Sequence, residues 1–248
     1  MKVLILAAGY GTRLYPYTRN FPKPLLKIGK RTIINYLLDK IKELDNISRI
    51  IVVTNNRFFK QFKAWKDGLK RKYPIRIIND LTTGPQDKLG AIGDMHFVFT
   101  KERFAGDFLV IGGDNLFKGS LFDFIHFAKS KHPFVTIGLF KIKDKSQARN
   151  YGVVSLDKQN RIIEFCEKPS RPKSSLVAMC LYYFPQEKLQ LIKKYLKSPS
   201  HSRDTTGTYI NWLSAKDKVW GFIFRDFWFD IGHLHTYKKA GEVLKKRR

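Results

Sequence analysis

The apolar positions of this chain change rhythm several times along its length. Val3 to Ala7 is an unbroken apolar run, the pattern of a strand buried on both faces. Ile33, Ile34, Leu37, Leu38, Ile41 and Leu44 then recur at helical spacing and predict a helix over 32–44. β-Branched residues return at 50–54 and at 75–78. Between them lies a polar helix over 57–70 with an aromatic face of Phe58, Phe62 and Trp65. A loop rich in Thr, Gly and Pro over 79–88 precedes a helix over 89–99, and 108–111 is a fourth strand ending in Gly-Gly-Asp-Asn. Strand and helix alternating in this way argue for an α/β fold with an open, mostly parallel central sheet and helices on both faces. Such sheets bind ligands beyond the carboxyl ends of their strands.

Past residue 130 the spacing tightens. Strands over 134–141, 151–156, 161–166 and 176–184 follow one another through short connections, an antiparallel excursion from the parallel pattern. Helices are expected over 186–196, 205–214 and 234–244. No linker separates the halves, so 1–248 is expected to form a single domain.

Composition narrows the class. The 248 residues are 43% hydrophobic, without repeats or a run long enough to cross a bilayer, and a cytoplasmic location is expected. The net charge of +26 attracts polyanions. It is spread along the chain, with Lys245 to Arg248 as its one cluster, and no zinc finger, basic zipper or aromatic RNA-binding signature accompanies it. Affinity for nucleic acid or anionic membrane is therefore expected to be incidental. Cys166 and Cys180 sit in apolar runs and read as reduced core thiols.

The chemistry starts in LAAGYGTRLYPYTRNFPKPLL, Leu6 to Leu26. Gly9 and Gly11 let peptide N–H groups approach an anion closely, and Arg13 adds a planar fork suited to phosphate oxygens. Lys23 stands between Pro22 and Pro24, which stiffen the backbone on both sides. The flexible part can wrap a phosphate chain while the stiff part aims a cation at it. A dinucleotide fingerprint would need glycine where Leu14 stands, and no Gly-Lys-Ser/Thr follows the loop.

The same segment resembles the signature L-A-x-G-x-G-T-R-L-x-P-x-T-x-x-x-P-K-P-L-L of the sugar-phosphate nucleotidyltransferases. That resemblance implies a Rossmann-like nucleotidyltransferase fold, with 1–130 mainly binding nucleotide and the antiparallel half, 131–248, mainly binding sugar. The implied reaction joins an NTP, with UTP or dTTP expected, to a hexose 1-phosphate such as glucose 1-phosphate and releases pyrophosphate. Leu6, Ala8, Gly9, Gly11, Thr12, Arg13 and Lys23 would hold the nucleotide. Asn79 and Gly90 are the implied base readers, since an amide can pair with a uracil or thymine edge. Asp114 in GGDNLF and Asp230 in WFDIG resemble the two metal motifs and would bind Mg²⁺, an ion suited to carboxylates and substrate phosphates. Gly152, Glu167, Lys168 and Val177 would face the sugar phosphate, with Lys168 on its phosphate. Arg13, Lys23, Lys168 and Asp114 are the implied catalytic set.

Three positions depart from the family: Ala8 and Cys180 stand at common glycines, and His233 at a common threonine. Ala8 leans away from thymidylyltransfer. Asp230, His233 and His235 do not share a helix face and are not expected to form a metal cluster. A cytidylyltransferase for phosphocholine or another phosphoalcohol is the nearest alternative, with Tyr182, Tyr183 and Trp228 as a cage for the head group. A non-catalytic nucleotide-binding subunit is disfavoured because every charged motif residue is present. A homo-oligomer is among the expectations.

Overall fold

In the computed structural model, which describes residues 1–70 and 73–245, the elements follow the alternating pattern. The first half runs β1 (Lys2–Leu6), β2 (Lys27–Ile28), β3 (Arg31–Thr32), α1 (Ile33–Ile41), β4 (Arg49–Thr54), α2 (Phe59–Asp67) and β5 (Ile75–Asn79). Then come α3 (Gly90–Lys101), β6 (Phe108–Gly112), β7 (Asn115–Phe117) and α4 (Leu121–Ser130). The second half holds β8 (Val135–Lys141), β9 (Gly152–Leu156), β10 (Ile162–Glu167), β11 (Leu176–Phe184), α5 (Leu191–Leu196), α6 (Thr206–Ser214), β12 (Val219–Phe224), β13 (Trp228–Asp230) and α7 (Leu234–Lys245). The basic cluster at 245–248 lies outside the described residues, apart from the last helical position.

Nine strands form one sheet, in which β6, β1, β4 and β5 are neighbours and run parallel. The unbroken apolar runs have their physical reason here. Val3 and Ile5 enter one core with α1, α2 and α4, while Leu4 enters the opposite core with α3, α5 and α6. A strand covered on both faces has no polar side to show. β11 joins this unit antiparallel to β6 through Leu181–Phe184, pairs with β8 through both its early and its late residues, and meets β9 at Val177. The β11–β8 register shifts between Ala178 and Tyr182, so the pairing with β8 continues across an irregularity. β9 and β10 extend the antiparallel part, and β12 lies parallel to β8.

The helix expected over 186–196 is broken: a 3₁₀ turn at Gln186–Lys188 precedes the short α5, so only its last residues are α-helical. α4 and β12 have no counterpart in the expected elements. Both thiols are free, but neither lies wholly in the core: Cys166 is exposed on β10 and Cys180 is half-buried. Among the described strands β10 is hydrogen bonded to β9 only, and an edge strand can turn an apolar-looking residue to solvent. Among the described residues no helix is long and apolar enough to cross a membrane.

Candidate active site

Beyond the carboxyl end of β1 the chain turns through Gly11, whose φ of +65° favours glycine, into a 3₁₀ turn at Thr12–Leu14. Thr18 Oγ1 donates to the Gly11 carbonyl at 2.7 Å, and Leu14 is buried, so the loop is anchored from both sides. A second 3₁₀ turn, Lys23–Leu25, begins after Pro22 and contains Pro24. It carries Lys23 to the end of β6, where its Nζ lies 2.5 Å from Asp114 Oδ2.

Asp114 and Asp230 are brought together by the small ribbon of β7 and β13, in which Asp230 pairs with Asn115. The ribbon is locked by Trp228 Nε1 donating to Asn115 Oδ1 at 2.6 Å and by Ile231 N donating to the Asp114 carbonyl at 3.1 Å. Asn115 in turn donates to the Gly112 carbonyl at 3.2 Å, tying the ribbon to the strand end. Burial acts to raise the Asp114 carboxyl, but the charge and hydrogen bond of Lys23 hold it below the usual range. Asp230 has no such partner. Burial, followed by the charge of Asp114, pushes it up to about 6, with Lys23 and Arg13 opposing. Two adjoining carboxylates, one forced toward protonation, form a donor set that fits Mg²⁺ completed by substrate phosphates. Among the described residues no cluster of three or more His, Cys, Asp or Glu is arranged as a metal site, and Asp230, His233 and His235 do not assemble one.

Asp114 and Cys180 border two cavities at once. The first is walled by Leu6 to Gly9, by Leu89 to Ala91 and by Lys23. The second is bordered by Arg13, Tyr151, Gly152, Glu167, Lys168 and Asp230. Glu167 ends β10 opposite Gly152, and its carboxylate packs on Gly207 in the first turn of α6, where any Cβ would collide with it. Burial raises the Glu167 carboxyl, against a smaller opposing effect of Lys168. Lys168 has a φ of +46°, its N–H donates to the Tyr151 carbonyl at 3.0 Å, and its exposed ammonium lies 3.9 Å from Glu167 Oε1.

Arg13 Nη1 donates to His233 Nε2 at 3.2 Å. A guanidinium has only donors, so Nε2 is the acceptor and the imidazole carries its proton on Nδ1. Burial, with the charges of Arg13 and Lys23, lowers the His233 pKa and keeps the ring neutral. The histidine standing at the family's threonine is thus a support for the arginine.

Some anticipated residues are placed elsewhere. Arg13 borders the second cavity and not the first, while Gly11 and Thr12 line neither. Asn79 is outside both: its Nδ2 donates to Asn56 Oδ1 at 2.8 Å and its Oδ1 accepts from Leu81 N at 2.8 Å. Val177 is fully buried in the core, and β11 reaches the second cavity instead through Ala178, Met179, Cys180 and Tyr182. Tyr183 is buried and donates to Asp107, outside the residues that border the second cavity. Tyr182, buried and donating to Thr206 Oγ1, borders the second cavity, as does Trp228, so two of the three expected cage residues lie at that cavity. Cys180 has a φ of +53°, a left-handed conformation that accounts for glycine being common there. Sequence reasoning missed Asp80 and Asp94, which line the first cavity although Asp94 sits at a buried position of α3. An acidic residue at an apolar phase of a helix was the available signal.

A family model described as nucleotidyl transferase matches residues 2–247. The chain belongs to that family. A bifunctional protein GlmU of Methanocaldococcus jannaschii is 32% identical to this member over 246 residues, 98% of the chain and 54% of that protein. A glucose-1-phosphate adenylyltransferase of Fervidobacterium nodosum is 28% identical over 94% of the chain and 59% of its own length. The nucleotidyl transferase chain thus spans little more than half of these relatives. Its fold matches a Bacillus anthracis crystal structure described as a glucose-1-phosphate thymidylyltransferase in complex with sucrose. The TM-score is 0.80 at 23% identity, covering 98% of this chain and 94% of that one.

Proposed function

We propose that this nucleotidyl transferase couples an NTP to a sugar 1-phosphate, giving a nucleotide sugar and pyrophosphate. The observation that carries the reading is the shared wall of the two cavities: Lys23 and Asp114 face the first, Asp114, Asp230, Arg13 and Lys168 the second. One cavity suits the nucleotide, the other the acceptor, and the charged groups lie where two phosphates would meet. Relatives named for glucose 1-phosphate support a hexose 1-phosphate as acceptor.

An oxygen of the acceptor phosphate attacks the α-phosphorus. A new P–O bond forms while the bond to the β-phosphate bridging oxygen breaks, and pyrophosphate leaves on the opposite side. The attacking oxygen is already ionised, so no general base is needed. Lys168 holds the acceptor phosphate, and Lys23 faces the charge that develops on the α-phosphate and the leaving group. Arg13, braced by His233, adds positive charge from the acceptor side and reduces the repulsion between two anions held close together. Asp114 and Asp230 would hold Mg²⁺, which supplies charge neutralisation at the phosphates when bound. Freeing Asp114 for that role requires Lys23 to swing from it toward phosphate.

The test is pyrophosphate release across all NTPs and a panel of sugar 1-phosphates and phosphoalcohols, with and without Mg²⁺. Release with a sugar 1-phosphate, dependent on Mg²⁺ and lost in Asp114→Asn, is the expected result. Release with a phosphoalcohol alone, or with none of the acceptors, overturns the proposal.

A further inference from the structure

The first cavity has an acidic end remote from its phosphate groups. Asp80 follows β5, and Asp94 lies one turn into α3; each is only 5% exposed and each lines the cavity. The backbone amide and the hydroxyl of Thr82 both donate to Asp80 Oδ1 at 2.8 Å, and Tyr10 shares a hydrogen bond with the same hydroxyl at 3.1 Å. The Asp94 and Asp80 carboxyls adjoin each other, and among the described residues Asp94 Oδ1 is buried without a hydrogen-bond partner. Among the described residues neither carboxyl takes part in an ion pair. The nearby Lys88 is engaged by Asp204 at 2.6 Å. A native interior rarely leaves such an oxygen unpaired. Asp94 itself lines the cavity, so its carboxyl is a place where a ligand donor is received.

We propose that the nucleotide accepted here carries an exocyclic amino group on its base, as adenine, cytosine and guanine do, and that Asp80 and Asp94 receive that edge in preference to uracil or thymine. The inference rests on the first cavity being the nucleotide site. The pairing edge of uracil or thymine presents acceptor, donor, acceptor, so it needs two donors from the protein. Asn79, the amide expected to supply one, is held by Asn56 and Leu81 outside the cavity. Asp80 and Asp94 bring four oxygens and, with one shared proton, at most one donor. Base carbonyls set against those oxygens stay unpaired and repelled, and a buried unpaired acceptor is costly. An amino group reverses the match, because its N–H meets a carboxyl acceptor of a pair that no cation neutralises among the described residues. The adjacent ring position suits either protonation state of the pair: a ring nitrogen of adenine or cytosine accepts the shared proton, and the ring N–H of guanine donates to a carboxylate. A site built on such pairing rejects a ligand that lacks it far more strongly than a site built on apolar contact.

The test uses the whole chain and does not require the acceptor. Dissociation constants of ATP, CTP, GTP, UTP and dTTP are measured with Mg²⁺ by calorimetry on the wild type, Asp94→Asn and Asp80→Asn. Folding of each variant is checked by circular dichroism. One amino-bearing NTP is expected to bind at least tenfold more tightly than UTP and dTTP. In Asp94→Asn, whose amide supplies a new donor, the ratio is expected to shrink severalfold toward UTP. Equal or tighter binding of UTP or dTTP by the wild type overturns the base assignment and leaves the nucleotide site standing. An unchanged ratio in both variants removes Asp80 and Asp94 from base recognition. If no NTP binds at all, the reading of the cavity falls together with the inference.

Discussion

Replacing Asp94 by Asn tests the physics of the acidic end without any ligand. Burial, reinforced by the charge of Asp80, pushes the Asp94 carboxyl up to about 8. In the unfolded chain it titrates near its ordinary value of 3.8. Between these limits the folded protein holds a proton that the unfolded chain has released. Stability is therefore intact below pH 4 and falls as pH rises toward 8. One proton corresponds to a tenfold change in the folding constant per pH unit, roughly 1 kcal/mol. Asn cannot titrate, fills the same volume and can still donate to Asp80, so this slope vanishes in the variant. Across pH 5 to 8 the gap between variant and wild type should widen by up to about a thousandfold in the folding constant. For a chain of this size, a thousandfold, about 4 kcal/mol, corresponds to a rise in Tm of up to about 8–16 °C, since each kcal/mol is worth about 2–4 °C. The assay is urea or thermal denaturation followed by circular dichroism at pH 5, 6, 7 and 8 without nucleotide. Asp80 is also raised by burial and adjoins Asp94, so the difference reports Asp94 together with its effect on Asp80. Parallel pH profiles, or a variant less stable than wild type at pH 8, would refute the reasoning.

Lys23→Ala removes the cation seated on Asp114 and should lower pyrophosphate release on the order of a hundredfold, with KM changed far less; near-normal turnover would exclude its role. Lys168→Ala, altering an exposed side chain, should lower kcat/KM for the acceptor by a similar factor while leaving NTP binding within about twofold. His233→Ala withdraws the acceptor that braces Arg13 and should cost about tenfold in kcat/KM, the size of one charge-assisted hydrogen bond; His233→Gln, which can still accept, should recover much of it. In Asp230→Asn the rise in Tm produced by Mg²⁺ with NTP should disappear, and the variant alone should be no less stable than wild type above pH 6, where wild-type Asp230 is ionised against Asp114. A Mg²⁺ effect that survives the substitution would remove Asp230 from the metal site.

The parallel half of the fold was legible because strands buried on both faces write themselves as apolar runs, as at Val3–Ile5 and Phe108–Ile111. α4 was missed although Leu121, Phe124, Ile125 and Ala128 are buried at helical spacing. The exposed Phe122 and the interleaved Phe127 blur that stripe. β12, Val-Trp-Gly-Phe-Ile-Phe, is apolar without clean alternation and borders β8 at the sheet margin. Within the site, residues whose task is charge on phosphate stand in conspicuous local patterns of Gly, Pro, Arg and Lys. Asp80 and Asp94 do not. Asp94 leaves a local trace as an acid at a buried phase of α3, but its meeting with Asp80 depends on how the end of β5 lies against the first turns of α3, a tertiary fact. The support of Arg13 by His233 was hidden in the same way, spanning 220 residues.

The two acid pairs also explain each other by contrast. A chain with a net charge of +26 has cations to place wherever a carboxylate needs one. At the Asp114–Asp230 end it does so: Lys23 and Arg13 both act on the pair, and Asp114 stays ionised and ready for a metal. At the Asp80–Asp94 end no basic side chain among the described residues is paired with either acid, and burial with the charge of Asp80 pushes Asp94 up to about 8. A cation there would have satisfied the pair permanently and closed the end of the cavity to a ligand donor. Left as a proton-sharing pair, it stays able to hydrogen bond with a neutral partner and has no place for an anion. An elongated ligand with phosphates at one end and a neutral N–H-bearing edge at the other answers both ends at once, which neither a free sugar phosphate nor inorganic pyrophosphate does. Competition should follow that logic: pyrophosphate should displace NTP through the Lys23 end, and Asp94→Asn should leave its inhibition constant within about twofold of wild type while the ranking of NTPs changes.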